Sequence, residues 1–425
     1  MHLLYLHQYF TTPEKGGGTR SYEFARRLVA RGHQVTMITG NSRLQEELSP
    51  RDRWKEIEIK GIRVIIVPVD YSNYMEKQQR IRSFLRYAWL AVRAGWSAHR
   101  HNQTRGSGQQ GSTKQKYSRP ALVFASSTPL TAGIPGIILA LRFRVPLIFE
   151  VRDLWPEAPV QMGVFRNRFL IAGLRLLEKI IYRFARHIVA LSPGMAEGVR
   201  RQGVKNSRVT VIPNSSDTGL FSPGSSDPEF NAQWRLEGRF VVAYAGAMGE
   251  ANGLDLIGQA AVKLQERGEE DVVFALAGDG KARPQLEKEV QRHGLTNVIL
   301  MGPQDKYQIN LLYRSAGAAL VLFRNLPVLQ TNSPNKFFDA LAAGVPVIAN
   351  MKGWIARLLE QHRAGIPIPP EDSEALVEAI ITLRNEVDYR QELARNARHL
   401  AKTQFDRDRL AKQLEQVLLD HARNK

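Results

Sequence analysis

The sequence predicts an α/β protein with two doubly wound parallel sheets in tandem. Its 425 residues are enough for two domains that each bury a core. Short apolar runs alternate with helix-length segments, which is typical of parallel βαβ units. The alternation is interrupted by a turn-rich stretch, NSSDTGLFSPGSSDP, at residues 214–228, which indicates a linker between the two domains.

The first domain is predicted for residues 1–212 and the second for residues 213–404. The predicted strands of the first domain are MHLLYLHQYF, QVTMITG, IRVIIVPVD, ALVFASS, LIFEVRD and HIVALS, and those of the second are FVVAYAG, VVFALAGDG, VILMGP, ALVLF and VPVIAN. Residues 405–425 form a predicted terminal helix. Asp406 and Asp408 give this helix a D-x-D pair, which charges that open a helix explain better than metal ligation.

Three consecutive glycines, Gly16–Gly18, lie between the first strand and an amphipathic helix that Thr19 or Ser21 is predicted to cap. Glycine lacks the Cβ that would keep a ligand away from the backbone, and a helix N-terminus attracts anions. The loop has neither the P-loop nor the G-x-G-x-x-G pattern. Taken alone, it therefore leaves a plain turn and an anion-facing loop equally open.

Composition limits the compartment and the chemistry. The absence of cysteine rules out disulfides and cysteine-based zinc or thiol chemistry. The apolar runs are too short for a membrane-spanning helix, and the N-terminus has no positive region before its apolar start. We therefore predict a cytoplasmic protein that begins with a strand instead of a signal peptide.

Basic residues are concentrated in the first half of the chain. Residues 1–220 contain 34 of the 59 Lys and Arg residues but 15 of the 41 Asp and Glu residues. This imbalance predicts an anionic partner for the first domain. The sequence lacks the pattern of a helix-turn-helix, RRM or zinc finger, so nucleic acid is not the predicted partner.

Residues 77–119 hold ten Lys or Arg and no acid. Apolar residues recur at intervals of three and four in the first part, which predicts a basic amphipathic helix, and residues 102–118 are predicted to be a flexible loop. An ordinary surface helix is the alternative to a membrane-contacting one. We favour contact with an anionic membrane surface, made by Arg82, Arg86, Trp89, Arg93 and Trp96. Residues 166–186 form a second basic amphipathic stretch.

Polar and glycine-rich motifs follow several predicted strands of the second half. Gly246 ends one strand, Gly278 and Asp279 end another, and SPNKFFDALAAGVPV begins a helix at residue 333. Open α/β sheets bind ligands at the carboxyl edge where such strand ends meet. Backbone amides from Ser333 to Lys336 and the helix dipole are suited to a diphosphate, with Lys336 as the countercharge and Asp339 as an acceptor for ribose hydroxyls. The alternative is a plain helix cap followed by an exposed aspartate.

These motifs together resemble the retaining GT-B glycosyltransferases of the family-4 type, two Rossmann-like domains facing each other across a cleft. The resemblance covers nearly the whole chain and includes the GGGT loop, RDLWPE at residues 152–157, IPNSSD at residues 212–217 and the AGDG turn. It is strongest to the bacterial subgroup that builds lipid-linked surface polysaccharides, and in particular to the WbuB-like group associated with N-acetyl-L-fucosamine transfer.

The resemblance implies that the second domain binds a nucleotide sugar and that the first domain, with the terminal helix crossing back to it, binds the acceptor. The glycine loop then faces the donor diphosphate. In the family, the departing phosphate helps to deprotonate the acceptor hydroxyl, and the protein mainly stabilises charge on the leaving diphosphate and orients the two substrates. No cofactor and no metal are expected. The donor-binding residues that follow are Gly17, Gly18, Gly246, Asn252, Gly278, Asp279, Arg324, Ser333, Asn335, Lys336 and Asp339.

The chain departs from the family pattern at several positions. The usual pair of glutamates falls on Thr331 and Asp339. The basic pair of the family falls on Ala247 and Asn252, so that Lys336 and Arg324 are left to meet the phosphates. The family histidine near the acceptor falls on Arg152. Asp153 is then the predicted catalytic group closest to the reacting hydroxyl, with Arg152 and Glu157 beside it; the alternative for RDLWPE is a structural turn with Trp155 in the core.

The sequence thus predicts a peripheral enzyme on the inner face of the plasma membrane. It would transfer a sugar from a nucleotide donor, uridine-linked by expectation, to a polyprenyl-diphosphate-linked saccharide. A nucleotide-sugar 2-epimerase of the same architecture and a membrane-bound scaffold with a degenerate nucleotide site are the alternatives. The sugar, the linkage, the acceptor saccharide and the oligomeric state do not follow from the sequence.

Overall fold

The computed structural model describes residues 1–15, 17–48, 53–72, 74–104 and 118–422, which divide into two compact units. Unit 1 comprises the described residues of Met1–Thr12, Thr19–Ile212 and Ala411–Lys425, and unit 2 those of Pro13–Gly18 and Pro213–Leu410. Gly16 of the glycine loop and residues 105–117 of the predicted flexible loop lie outside the described residues.

Unit 1 is built on a sheet with the strand order β3-β4-β2-β1-β5-β6-β7-β8. Its strands are β1 (His2–Leu6), β2 (Gln34–Gly40), β3 (Lys55–Ile59), β4 (Ile62–Val67), β5 (Leu122–Ser126), β6 (Leu147–Val151), β7 (His187–Ala190) and β8 (Val209–Val211). All pairs are parallel except β3 with β4. The prediction lacks β3 because its sequence, KEIEI, alternates charge with isoleucine, as befits a half-exposed edge strand.

The helices of unit 1 that precede the linker are α1 (Arg20–Ala30), α2 (Lys77–Thr104), α3 (Gly133–Phe143), α4 (Glu157–Gln161), α5 (Arg168–Phe184) and α6 (Pro193–Arg201). Helix α3 packs against both α2 and α5. The core lies between these helices and the sheet and includes Leu6, Tyr87, Leu139, Phe149 and Ile181. The side chain of Asn167 caps α5 by accepting hydrogen bonds from two backbone amides.

Unit 2 has a fully parallel sheet among its described strands, in the order β11-β10-β9-β12-β13-β14. The strands are β9 (Phe240–Ala245), β10 (Val272–Ala277), β11 (Val298–Gly302), β12 (Ala316–Val321), β13 (Val347–Ala349) and β14 (Gly365–Pro367). The helices are α7 (Pro228–Trp234), α8 (Asp255–Glu266), α9 (Arg283–Arg292), α10 (Lys306–Ser315), α11 (Asn335–Ala343), α12 (Trp354–His362), α13 (Ser373–Asn385) and α14 (Val387–Gln404).

Both sheets confirm the predicted class of two doubly wound α/β units. In each, the strand order reverses beside the first strand of the unit, between β1 and β5 and between β9 and β12. Such a switch point opens a crevice at the carboxyl ends of the strands, where ligands bind in this class of fold. The candidate sites are therefore sought at these two edges.

Most of the terminal helix α15 (Arg407–His421) belongs to unit 1, where its side chains make polar and ring contacts. Glu415 accepts hydrogen bonds from His33 Nε2 at 2.6 Å and from Arg31 at 3.1 Å. His421 stacks edge-on against His187, with ring centroids 4.4 Å apart. Across the described residues, each helix is too short or too polar to cross a membrane.

Candidate functional site

In unit 2, two glycine turns lie side by side where β9 and β10 end. A Cβ on Gly278 would lie 1.9 Å from the carbonyl oxygen of Gly246, and one on Gly280 would lie 2.5 Å from that of Met248. The amide of Met248 donates to the carbonyl of Asp279 at 2.9 Å. Close packing of the two turns thus requires glycine at 278 and 280. The predicted ligand contacts of Gly278 and Asp279 remain predictions.

Lys336 lies in the first turn of α11 and reaches the end of β9. Its Nζ donates to the hydroxyl of Tyr244 at 2.7 Å and to Asn252 Oδ1 at 3.0 Å, and it lies 4.0 Å from the centre of the Tyr244 ring. Burial lowers the pKa of the Lys336 ammonium to about 7. A buried lysine whose hydrogen-bond partners in the described chain are neutral oxygens is suited to receive an anion.

Hydrogen bonds from the predicted linker hold the residues that precede α11. The Asn214 amide donates to Ser333 Oγ at 3.1 Å, and its side-chain nitrogen donates to the Ser333 carbonyl at 2.6 Å. Asn335, the first residue of α11, is half-buried. Arg324 follows β12 and is exposed, while its amide donates to the carbonyl of Ala251 at 2.9 Å. The structure therefore brings Ser333 and Lys336 to one helix start, with Arg324 at the end of the strand that precedes it.

Asp339 is buried one turn after Lys336, so it is not the exposed helix residue of the alternative. Its Oδ2 accepts from Lys306 Nζ at 2.5 Å, and both side chains are nearly inaccessible to solvent. Its Oδ1 is buried and has no hydrogen-bond partner in the part of the chain that the structure describes. One carboxylate oxygen is thus neutralised by a cation that the sequence analysis missed, and the other keeps its capacity to accept.

In unit 1, a second polar cluster joins the carboxyl ends of β1, β5 and β6. Arg152 donates to His7 Nε2 at 2.8 Å, so the proton of the neutral imidazole is assigned to Nδ1, which lies 2.9 Å from Ser21 Oγ. Burial lowers the pKa of His7 well below its ordinary value, and the Arg152 charge acts in the same direction. His7 is therefore a neutral, oriented group.

Asp153 completes this cluster. Thr128 donates to its Oδ2 at 2.6 Å, and the Arg152 amide donates to Ser127 Oγ at 3.0 Å. Burial raises the pKa of the Asp153 carboxyl, although the Thr128 hydroxyl and the Arg152 charge act against that rise. A carboxyl in this environment is suited to accept a hydrogen bond from a substrate hydroxyl.

A buried ion pair between Arg20 and Glu150 lies next to this cluster. Glu150, in β6, accepts from Arg20 Nε at 2.9 Å and from Ser126 Oγ at 2.6 Å, and Arg20 also donates to the carbonyl of Ile212 at 2.9 Å. These bonds tie β5, β6 and the start of α1 together. Thr19 at the helix start makes no side-chain cap bond, and Ser21 binds His7 instead, so the predicted side-chain cap is wrong.

Glu157 stands apart from the hydrogen bonds of Asp153. Its partly exposed carboxylate accepts from Gln161 at 2.8 Å and lies 3.6 Å from Arg175. Trp155 packs edge-on against Phe84 and Phe165, which agrees with the structural part of the alternative for RDLWPE. The structure therefore brings Arg152 and Asp153 together with His7, and leaves Glu157 at the start of α4.

The remaining predicted residues lie at the surface. Gly17 is exposed and Gly18 is half-exposed. The five predicted membrane-facing residues all lie exposed on α2, with Trp89 57% and Trp96 39% accessible. Arg93 lies 4.7 Å from the Trp89 ring centre, and Arg142 of α3 lies 4.8 Å from that of Trp96. Within the described ranges, three or more His, Asp or Glu side chains never converge as they would around a metal.

The sequence analysis missed His7, Tyr244 and Lys306. His7 has a usable signal, because it is the first polar residue after a buried strand that opens the domain. Tyr244 is hidden inside the apolar run of β9. Lys306 lies 33 residues before its partner Asp339, and no local pattern links the two.

Family models match both halves of the chain. Residues 15–215 match the glycosyl transferase 4-like domain, and residues 239–386 match the glycosyl transferases group 1 family. Since both are glycosyltransferase models and together account for most of the sequence, the chain belongs to the family-4-type GT-B glycosyltransferases. The predicted family is thus confirmed at this level.

Two curated relatives are similar over part of the chain. The alpha-D-kanosaminyltransferase of Streptomyces kanamyceticus is 26% identical over 180 residues, 42% of this chain and 45% of the relative. The putative colanic acid biosynthesis glycosyl transferase WcaI of Escherichia coli K12 is 25% identical over 200 residues, 46% of this chain and 48% of the relative. The matches therefore span about half the length of these relatives.

Solved structures resemble the chain over its whole length. The sucrose-phosphate synthase from Thermosynechococcus elongatus has a TM-score of 0.74 and 19% identity, covering 99% of this chain and 98% of that one. Anabaena HepE, in complex with UDP and glucose, has a TM-score of 0.70 and 19% identity, covering 98% and 99%. At this identity the likeness concerns the fold, and it confirms the predicted GT-B class.

Proposed function

We propose that this chain is a retaining, metal-independent glycosyltransferase that moves a sugar from a UDP-linked donor to a polyprenyl-diphosphate-linked saccharide. Unit 2 would bind the donor and unit 1 the acceptor, in the synthesis of O-antigen, capsule or exopolysaccharide. UDP-N-acetyl-L-fucosamine is the first donor to test, because the motifs are most similar to the WbuB-like group.

The observation that supports donor binding most strongly is the buried Lys336 at the start of α11. Its partners are a tyrosine hydroxyl and an amide oxygen, so a diphosphate would supply the negative charge that its surroundings lack. The N-terminal amides of α11 would add further donors. HepE, a structural neighbour, was solved in complex with UDP and glucose, which supports a nucleotide ligand for this fold.

Charge stabilisation of the leaving diphosphate would be the main catalytic contribution of unit 2. As the bond from the anomeric carbon to the phosphate oxygen breaks, charge grows on that phosphate, and Lys336 would stabilise it. The acceptor oxygen forms the new bond on the same face, and its proton passes to the departing phosphate. Lys336, assisted by Arg324, would fill the role that a metal ion takes in other transferases.

Unit 1 would orient the acceptor hydroxyl. Asp153, held by Thr128, can accept its hydrogen bond, and neutral His7 beside Arg152 is fixed in one tautomer. Positioning of this kind lowers the barrier without a covalent step. Since Arg152 occupies the position of the family histidine, its guanidinium is the proposed contact to acceptor oxygens.

A lipid-linked acceptor is supported by the surface of unit 1. Helix α2 exposes two tryptophans beside arginines, a composition suited to the interface of an anionic bilayer. The relative WcaI is named for colanic acid biosynthesis, which is also surface polysaccharide synthesis. We therefore propose peripheral attachment to the inner face of the plasma membrane.

The proposed function is tested by measuring the release of nucleoside diphosphate from a panel of UDP-, GDP- and dTDP-sugars. Each donor is assayed with and without a polyprenyl-diphosphate-linked acceptor, and with and without EDTA. We expect acceptor-dependent release from one UDP-sugar that EDTA leaves unchanged. NMR of the product would show the donor's anomeric configuration retained.

Other outcomes would contradict the proposal in distinct ways. Loss of turnover in EDTA would overturn metal independence. Conversion of the donor to its 2-epimer without acceptor would establish the epimerase. UDP binding without turnover of any donor in the panel would favour the scaffold with a degenerate site.

A further inference from the structure

Helix α5 exposes its large apolar side chains. Phe169 is 89% accessible, Leu176 60% and Ile180 49%. Three of its seventeen residues, Glu178, Ile181 and Tyr182, are buried. The exposed residues recur at helical spacing and form one stripe, Phe169–Leu176–Ile180–Phe184, which we call the α5 apolar stripe.

A stripe of cations lies beside the α5 apolar stripe. Each cation directly precedes one residue of the apolar stripe in the sequence. The cation stripe consists of Arg168, Arg175, Lys179 and Arg183, all exposed. The first three line a concavity of about 450 Å³ between α4 and α5, whose other walls are the apolar side chains of both helices. This concavity, the α4–α5 concavity, combines three cationic side chains with apolar walls, and one of the three, Arg175, also lies 3.6 Å from Glu157 of α4.

The surrounding helical layer has the same character. The sequences of α2, α3 and α5 contain one acidic residue, Glu178, which is buried. On α3, which packs between the other two helices, Ile138 and Leu141 are 41% and 60% accessible and Arg142 is exposed. Three neighbouring helices thus present apolar and cationic side chains to the outside.

We propose that the α5 apolar stripe enters an anionic bilayer while the α4–α5 concavity binds the phosphate of one of its phospholipids. The inference rests on the proposed membrane association and gives it a second contact, on α5 in addition to α2, with a defined headgroup site. Phosphate suits the concavity because three cations converge there, and the apolar walls suit the adjoining glycerol and acyl carbons.

A bilayer explains the whole surface better than a soluble anion does. A free phosphate ester would use the three cations, but it would leave the exposed Phe169, Leu176 and Ile180 in water. Lying in the interface, an amphipathic helix buries such a stripe among acyl chains while its cations meet headgroups. The occupant is therefore a phospholipid that is part of the bilayer surface.

Vesicle sedimentation of the full chain, without nucleotide sugar, tests the inference. The vesicles are phosphatidylcholine alone, phosphatidylcholine with phosphatidylglycerol, and phosphatidylcholine with polyprenyl diphosphate. We expect the wild type to prefer phosphatidylglycerol vesicles. Replacing Arg168, Arg175 and Lys179 together by Gln should weaken that binding on the order of a hundredfold, since each basic residue near the surface contributes about fivefold.

A matched variant separates the site from net charge. Lys288, Arg292 and Lys402 are exposed cations of unit 2, and their joint replacement by Gln removes the same charge. We expect this variant to bind within about threefold of the wild type, because charges away from the contact are screened. Phe169→Ser with Leu176→Ser should weaken binding about tenfold while keeping the preference for phosphatidylglycerol.

Several results would overturn the inference. Binding of the α5 triple variant within twofold of the wild type contradicts the inference, as does an equal loss of binding in the unit 2 variant. Binding to polyprenyl-diphosphate vesicles but not to phosphatidylglycerol would assign the concavity to the acceptor. If the wild type binds none of the vesicles, the proposed membrane association itself is wrong. If vesicle binding is lost only in the double variant Trp89→Ser with Trp96→Ser, the protein binds membranes through α2 alone and the α5 inference is wrong.

Discussion

The two polar clusters occupy the same place in their sheets but differ in charge. In unit 2, a buried ammonium at Lys336 lies among neutral oxygens. In unit 1, a neutral imidazole and a carboxyl group lie around the guanidinium of Arg152. A common topology therefore carries two different sets of polar groups, because the residues after each strand set the charge of the sheet edge; we propose that one edge binds an anion and the other orients a hydroxyl.

The difference extends to how each cluster handles buried charge. Asp339 is neutralised by Lys306, so the positive charge of Lys336 is not offset by the nearest carboxylate on its own helix. In the same manner, the charge of Glu150 is neutralised by Arg20. Arg152 then hydrogen-bonds the neutral His7. In both units one cation pairs with a buried carboxylate, and a second cation, Arg152 or Lys336, is the one that we propose for ligand contact.

The largest expected effect is on stability, from removing Lys306. Lys306→Met leaves the Asp339 carboxylate buried without its cation, and the free energy of unfolding should fall by about 3 kcal/mol. Urea unfolding measures this loss. The double variant with Asp339→Asn should recover most of it, and an equal loss in both variants would show that the ion pair is not its source.

Next in size is the effect of Asp153 on transfer. Asp153→Asn should slow sugar transfer on the order of a hundredfold, because the acceptor hydroxyl loses a charged hydrogen-bond partner. UDP affinity should stay within twofold, since the residue belongs to unit 1. A parallel loss of UDP affinity, measured by calorimetry, would mean that the two clusters do not divide donor and acceptor.

The pH dependence of UDP affinity sharpens the comparison further. Above pH 7, Lys336 is mostly neutral in the free protein, so diphosphate binding takes up a proton. The UDP affinity should therefore decrease as the pH rises, with a slope that approaches about tenfold per pH unit. The decrease should stop at the pKa that Lys336 has in the complex. Calorimetry between pH 7 and 9 checks this slope. Lys336→Met should show a flat profile, and a flat wild-type profile would refute the role of this ammonium.

The same lowered pKa has a consequence for stability in the absence of ligand. Between pH 7 and 10.5 the unfolded chain binds a proton at Lys336 that the folded chain does not. Stability therefore rises with pH through this window, and it levels off below pH 7 because both states then bind the proton. Lys336→Met should remove this contribution from the difference in unfolding free energy between pH 6 and 9.

The smallest expected effect belongs to Glu157. Its partly exposed carboxylate contacts Gln161 and Arg175 and makes no hydrogen bond with Asp153 among the described contacts. Exposed pairs of this kind contribute little, so Glu157→Gln should change transfer less than threefold. A loss above tenfold in the transfer assay would restore Glu157 to the catalytic group.

Local patterns predicted the strands and motifs whose signal is continuous in the sequence. Buried strands such as β9 read as apolar runs, and the start of α11 reads as a turn followed by a helical pattern. The edge strand β3 was missed because its alternating charges resemble a loop. β8 and β14 are three residues each and lack a run of their own.

Side-chain partners were harder to predict because they depend on packing between distant segments. Lys306 meets Asp339 only when α10 lies beside α11. His7 meets Arg152 across 145 residues, so its role as the neutral partner of a guanidinium is not visible in either motif alone. The sequence predicts Lys336 as a cation at the start of α11. Its lowered pKa follows from burial, which the sequence does not show.

The central claim is the division of roles between the clusters, and UDP binding by paired variants tests it most directly. Calorimetry at pH 7 would compare the wild type with Lys336→Met and Asp153→Asn, with Lys288→Met as the control for loss of a lysine in unit 2. We expect Lys336→Met to weaken UDP binding by about thirtyfold or more, as for a lost charge-assisted hydrogen bond, while the other two variants bind normally. Normal binding by Lys336→Met together with loss in Asp153→Asn would contradict the account.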